Sequence, residues 1–329
     1  MDEKIQEIIQ NLEKDFNGDI NHDVEILRNY CRSLERTEEN LKIVTYIGRY
    51  ASEKFPEADA VKEAKAFEDK LVEFQEKVMQ AQTLMREKKF EDAVKAFDEI
   101  IGEVQPPKDE SKYICSFNHP FEEMLFRARN KDKPIEKISN LPEVLYYQKG
   151  CAWFELKDYD KAEESLNHAL ELSPVNTMIF FELMQIARIR QDYDKVRELL
   201  KQCYQFLYTR HQLARFYREH AALAMLDSKF ELANALIYLS MDYEDTPQVR
   251  AQLNSLAKNR GVDLSKPKVE TVKQRLSAAN IPVGPDPAVY GLAIDIGNQT
   301  KKAYPEVARM AYGIAYDITH YEPLLRELQ

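Results

Sequence analysis

Apolar residues recur through most of the chain at intervals of three and four, the spacing of one helix face. Ile5, Ile8, Ile9 and Leu12 form the first stripe, and Asn17-Gly18-Asp19 interrupts it. Asp23 to Leu34 and Leu41 to Phe55 then resemble a helix pair that ends at Pro56. Val61, Ala64, Phe67, Leu71, Phe74 and Val78 predict one long helix running toward Met85, and a second helix follows, closing at Gly102 and Pro106. The pattern is sharpest over residues 143–176, EVLYYQKGCAWFELKDYDKAEESLNHALELSPVN. Two short amphipathic helices are predicted there, joined by a tight turn at Lys157-Asp158. Small residues (Gly150, Ala162, Ala169) stand where helices must approach, and large ones (Tyr146, Trp153, Tyr159, Leu166) stand between them. Pro174 stops the second helix.

The arrangement recurs. Tyr159, Ala162 and Leu166 are followed 34 residues later by Tyr193, Val196 and Leu200, and 37 residues after that by Phe230, Ala233 and Ile237. Phe90, Ala93 and Phe97 hold the same roles upstream, and the 69 residues from Phe90 to Tyr159 are close to two periods. One such helix would be ordinary core, but several in step are hard to obtain by chance. Residues 143–176 resemble the tetratricopeptide repeat, whose small-large pattern has a period of about 34 residues. Lys149 departs from the family, which usually has Leu there. The next repeat is weaker, with Met184 at the small crossing position, Val196 and Cys203 for alanines, and Tyr208 for proline. Its crossing is expected to be looser or differently angled.

Residues 106–142 break the rhythm, with five of the 14 prolines and a charge run from Arg127 to Lys133. The spacing suggests one distorted repeat with an aromatic loop, in which Pro120 starts a short helix through Phe126. Beyond 246, helices are expected over Gln248–Asn259, capped by Gly261, and over Val269–Ala279. Ile281–Pro287 reads as a Pro/Gly loop. Pro305–Leu328 is expected to be mostly helical, interrupted near Pro323, with a small-residue face of Ala308, Ala311 and Ala315. That segment either seals the last repeats or forms a small separate unit. The chain thus divides into 1–57, an N-terminal helical cap or degenerate repeat; 58–246, repeat-like helix pairs with the distorted insertion 106–142; and 247–329, a C-terminal helical segment. A rival for the first part is a dimerising helix.

Composition agrees with an all-α fold. Of 329 residues 44% are apolar and 31% charged, a globular balance. Only 9 are glycine, which implies few turns of positive φ and helices throughout. The net charge of −10, much of it from 11 Lys/Arg against 18 Asp/Glu in residues 1–75, argues against nucleic acid and anionic membranes as partners. An acidic amphipathic start is not a signal peptide, and no window is apolar enough to span a bilayer. Cys31, Cys115, Cys151 and Cys203 are far apart and form no C-x-x-C pair, so a cytoplasmic protein with reduced cysteines is expected.

Few residues suggest chemistry. Gly291–Lys302 contains D-x-G-x-x-T, similar to the first phosphate loop of actin-like kinases, but it lies too near the end for the family's later motifs. Gly297 is better understood as a helix stop. His119 with Glu122 and Glu123 supplies at most two ligands on one turn, where a catalytic zinc needs three. His211 and His220 lack an accompanying motif, and no Walker loop, G-x-S-x-G, G-x-G-x-x-G or H-E-x-x-H occurs. No enzyme, metal or cofactor is expected.

The resemblance implies a helical superhelix whose concave face, lined by the first helix of each pair, binds an extended peptide or a partner helix. By position the lining residues are Tyr147, Cys151, Phe154, Glu155, Phe181, Gln185, Arg188, Arg215 and Arg218. Chaperone-tail-binding members hold a terminal carboxylate with Lys and Asn at places that here carry Tyr147, Cys151, Phe181 and Gln185, so that clamp is absent. The expected function is a non-catalytic scaffold for a protein or peptide, with the three arginines favouring an acidic one. Alternatives are a peptide-responsive regulator with the N-terminal helices as output, and an enzyme with a site around Asp286–Lys302.

Overall fold

The computed structural model describes residues 2–258 and 264–328. The chain falls into two compact units, residues 1–83 and 84–329. In the first, α1 (Asp2–Glu13), α2 (Ile20–Ser33) and α3 (Glu38–Lys54) are followed by α4 (Asp59–Arg86), which runs across the division. Ile5 and Ile9 of the first stripe are buried with Val24, Leu27, Ile43 and Ile47. Gly18 adopts φ +89° at the predicted break. Asp19 then caps α2 by accepting the amides of Asn21 and His22. The stripe on α4 behaves otherwise. Phe67 and Leu71 are exposed, and Ala81 is its buried residue.

The second unit begins with α5 (Phe90–Glu103). An insertion follows, β1 (Tyr113–Cys115), α6 (Pro120–Arg129) and β2 (Ile135–Lys137), and then the repeat helices α7 (Leu141–Glu155), α8 (Tyr159–Leu172), α9 (Thr177–Ile189), α10 (Tyr193–Tyr204), α11 (Arg210–Leu226) and α12 (Phe230–Tyr243). The C-terminal helices are α13 (Pro247–Leu256), α14 (Val269–Ala278), α15 (Pro287–Thr300), α16 (Pro305–Thr319) and, after a 3-10 turn at Glu322–Leu324, α17 (Leu325–Leu328). The architecture is all-α and built from consecutive helix pairs, as the hydrophobic spacing predicts.

The repeat register is visible as burial. Ala162, Leu166 and Ala169 on α8 are at most 1% exposed, and so are Val196, Leu200 and Cys203 on α10 and Ala233, Ile237 and Ser240 on α12. Gly150 is where α7 meets them: a Cβ there would lie 2.8 Å from Leu166 Cγ and 3.2 Å from the Ala162 carbonyl oxygen. Met184 and Ala221 take the equivalent places on α9 and α11, both fully buried. The α9–α10 pair packs less extensively than α7–α8 or α11–α12. Lys149, the departure from the family's leucine, pairs with Asp98 at 2.6 Å.

Each pair turns in the same way. Lys88, Lys157, Gln191 and Ser228 have φ between +57° and +62°, and each lies two residues before its second helix. The next amide in each case donates back to a carbonyl of the first helix: Asp158 to Trp153 at 3.0 Å, Asp192 to Ala187 at 2.8 Å, Lys229 to Ala224 at 2.8 Å. These are helix ends closed by a left-handed residue. None of the four is glycine, so the scarcity of glycine does not signify few turns of positive φ. The inference from composition is wrong on this point, because non-glycine residues take the left-handed region at these helix ends despite its steric cost, which the closing hydrogen bonds and helix packing offset.

The insertion differs from the distorted repeat that the spacing suggested. A single helix lies between two short parallel strands, with Tyr113 opposite Ile135 and Cys115 opposite Lys137. His119 and Glu122 reciprocally cap α6, which accounts for both residues without a metal. The C-terminal helices belong to the same compact unit: α14 packs on α12, α16 on α11 and α15 on α6. The loop before α15 is pinned by Tyr217, whose hydroxyl donates to the Pro282 and Gly284 carbonyls, and by an Arg129–Asp286 ion pair of 3.1 Å. Gly297 is not a helix stop. It lies inside α15, where a Cβ would collide with the Tyr312 ring, so close helix packing requires it. Gly261 lies outside the described residues.

The shared turn geometry makes a prediction. Lys157→Gly leaves the urea midpoint unchanged or slightly raised, whereas Lys157→Val lowers stability by on the order of 1 kcal/mol, since a β-branched side chain fits this region poorly. Equal stability of the two variants would contradict the turn.

Candidate binding face

The first helices α7, α9 and α11 carry the residues singled out by spacing. Tyr147 and Cys151 are half-buried on α7. Burial pushes both their pKa values up, the Cys151 thiol to about 12, so this cysteine is not a thiolate near neutrality. Phe154 packs edge-on against Tyr159 with ring centroids 5.6 Å apart, and Glu155 is exposed at the helix end. These two stand at the margin.

The centre is a charged cluster. Phe181 is fully buried rather than presented to solvent, and the Arg215 guanidinium lies 4.5 Å from its ring centroid. Arg215 also reaches Glu182 at 3.4 Å, and Gln185 donates to the same carboxylate. Arg188 stands 2.9 Å from Glu219, an ion pair without hydrogen-bond geometry. Glu182 and Glu219 were not expected from the sequence. A signal existed for the first, because Glu182 and Arg215 are 33 residues apart, about one repeat.

Arg218 differs from its neighbours. Among the described residues no carboxylate lies within ion-pair distance of it, and its Nη1 is buried without a hydrogen-bond partner. Its surroundings desolvate the guanidinium, which lowers its pKa, while Glu244 and Glu219 act on it from further off. Gln252 of α13 donates to the Arg218 carbonyl at 3.0 Å. The cluster therefore contains two arginines neutralised from within the fold and one that is not. An arrangement of this kind can hold a ligand carboxylate or a row of backbone groups; it contains no nucleophile paired with a base.

The other sequence candidates fall elsewhere. Asp295, Gly297 and Thr300 of the D-x-G-x-x-T motif lie along α15, and the Thr300 hydroxyl is spent on the Ile296 carbonyl at 2.7 Å. That is helix rather than a phosphate loop. His211 pairs with Glu244 at 2.7 Å, whereas His220 packs its ring 4.6 Å from Phe216. The described residues contain no group of three or more His, Cys, Asp or Glu placed to hold a metal. No described helix is long and apolar enough to cross a membrane.

A family model of the tetratricopeptide repeat matches residues 144–174, the segment formed by α7 and α8. The chain contains a tetratricopeptide repeat. No curated protein matches it. The repeat makes a protein-interaction scaffold the coarse function of this fold, with the helix pairs before and after 144–174 carrying the same register of buried positions.

Glu219 supplies a test of the cluster's electrostatics. Burial raises its carboxyl pKa despite the opposing arginines Arg188, Arg215 and Arg218. A carboxyl with a raised folded pKa binds its proton more tightly in the folded protein. Its contribution to stability is therefore present at low pH and lost as pH rises past the unfolded value. Thermal unfolding of the wild type and Glu219→Gln should give similar midpoints near pH 4, with the variant gaining relative to the wild type toward pH 7. A relative loss for the variant at pH 7 would show the ion pair to be net stabilising.

Proposed function

We propose that this tetratricopeptide-repeat protein is a non-catalytic adaptor that holds an acidic, extended segment of a partner protein on the face built by α7, α9 and α11. Tyr147, Cys151 and Gln185 line the path, Phe154 and Glu155 stand at its end, and Arg188, Arg215 and Arg218 give it positive character. Phe181 acts from beneath, as the platform on which Arg215 rests. The observation that carries the proposal is Arg218. It is a half-buried, partly desolvated guanidinium that has, among the described residues, no carboxylate within ion-pair distance, beside two arginines that each have one. A partly desolvated cation without a counter-charge carries a cost, and a ligand carboxylate within reach of it recovers part of that cost. An intracellular, cytoplasmic setting is consistent with four cysteines that are all free.

The test uses a short synthetic peptide in which Asp and Glu alternate with Leu, set against a twin carrying Asn and Gln. Fluorescence anisotropy should show the acidic peptide binding and the neutral twin binding at least about tenfold more weakly, a difference of about 1.4 kcal/mol. Arg218→Gln should remove most of that difference while the circular dichroism stays unchanged, and Tyr147→Ala should weaken both peptides. Equal binding of the two peptides, or acidic binding untouched by Arg218→Gln, would overturn the acidic-ligand proposal.

A further inference from the structure

A cavity of about 320 Å³ opens between α10, α11, the turn into α12 and the segment 279–282 that follows α14. Its floor is apolar, formed by Phe216, Leu223, Ala224, Leu232 and Ile281. Its rim is cationic, with Arg197, Lys201 and Lys229 against the single carboxylate of Asp227, in a chain whose net charge is −10. Asp227 is already taken by Arg197 at 3.0 Å and Lys229 at 3.1 Å. Lys201 is exposed and has no ion-pair or hydrogen-bond partner among the described residues, and the same holds for the ring nitrogens of His220 in the cavity wall.

The wall is built before any ligand arrives. Asn280 takes a left-handed φ of +54°, its amide donates to the Ser277 carbonyl at 3.0 Å, and the Ile281 amide donates to Leu276 at 2.9 Å. This is the turn that closes each repeat's first helix, but Pro282 follows and the next helix, α15, begins only at Pro287; Leu223 and Ala224 of α11 and Leu232 of α12 line the cavity here. Tyr217 then fixes the Pro282 carbonyl at 3.2 Å. A preformed cavity of this size, mostly apolar with a few convergent polar groups, suits a small molecule.

We propose that this cavity binds a small amphipathic monoanion, a compact apolar body ending in one carboxylate or sulfonate. The apolar body lies on Phe216, Leu223 and Ile281, and the anion meets Lys201 with His220 as a neutral hydrogen-bond partner. Burial holds the His220 pKa down to about 4, so the imidazole supplies hydrogen bonding rather than charge near neutrality. The site shares none of its lining residues with the face assigned to peptide binding, so each can fail without the other.

Isothermal titration with 2-naphthoate and its uncharged twin 2-naphthamide tests the proposal on the full chain. One saturable site is expected for the carboxylate, with the amide at least about tenfold weaker. Lys201→Met, on the surface, should weaken naphthoate about tenfold and leave naphthamide unchanged. Ala279→Phe should fill the cavity and abolish both, and Arg218→Gln should change neither. The proposal is overturned by equal binding of the two probes, by naphthoate affinity unaltered in Lys201→Met, by loss of binding in Arg218→Gln, or by no saturation up to about 1 mM.

Discussion

At position 150 the backbone of α7 comes so near α8 that no side chain fits between them. Leu166 and the Ala162 carbonyl occupy the space a Cβ would need. That approach sets how α7 lies on α8, and the left-handed residue at Lys157 makes the turn that permits it. Because short helices cannot bury an apolar face alone, each pair must in turn stack on its neighbours. The stacking gives α7, α9 and α11 a common side. The proposed binding face is thus a consequence of packing small against large, not of any residue placed there for binding.

Electrostatics then decides what that side can hold. Three arginines in a row look like a strongly basic groove, yet the fold supplies Glu182 to Arg215 and Glu219 to Arg188. Paired charges of this kind orient side chains and steady the cluster more than they attract ligand. Among the described residues Arg218 alone of the three has no carboxylate within ion-pair distance, so recognition as proposed for this face has a single electrostatic centre with aromatic and polar surroundings.

Much of the fold was legible because its determinant is periodic. The spacing from Tyr159 to Tyr193 and Phe230 reappears as buried Ala162, Val196 and Ala233, and as left-handed Lys157, Gln191 and Ser228. What the sequence concealed was what depends on three-dimensional neighbours. Phe181 occupies a groove position by count but is covered by Arg215, and Glu219 enters the cluster from a place the spacing did not mark, whereas Glu182 carried a signal only in its one-repeat separation from Arg215. Gly297 looked like a helix end because glycine often is one, whereas the crowding comes from Tyr312, distant enough in sequence to be invisible to local pattern. The strands β1 and β2 are three residues each, too short to leave a periodic trace.

The central claim is that the first-helix side, and no other, is the protein-binding surface. Hydrogen–deuterium exchange of the full chain with and without a saturating acidic peptide tests it most directly. The account predicts added protection confined to α7, α9 and α11, greatest around Arg215–Glu219, with α8, α10 and α12 unchanged. Protection centred on the second helices, or on residues 1–83, would contradict it.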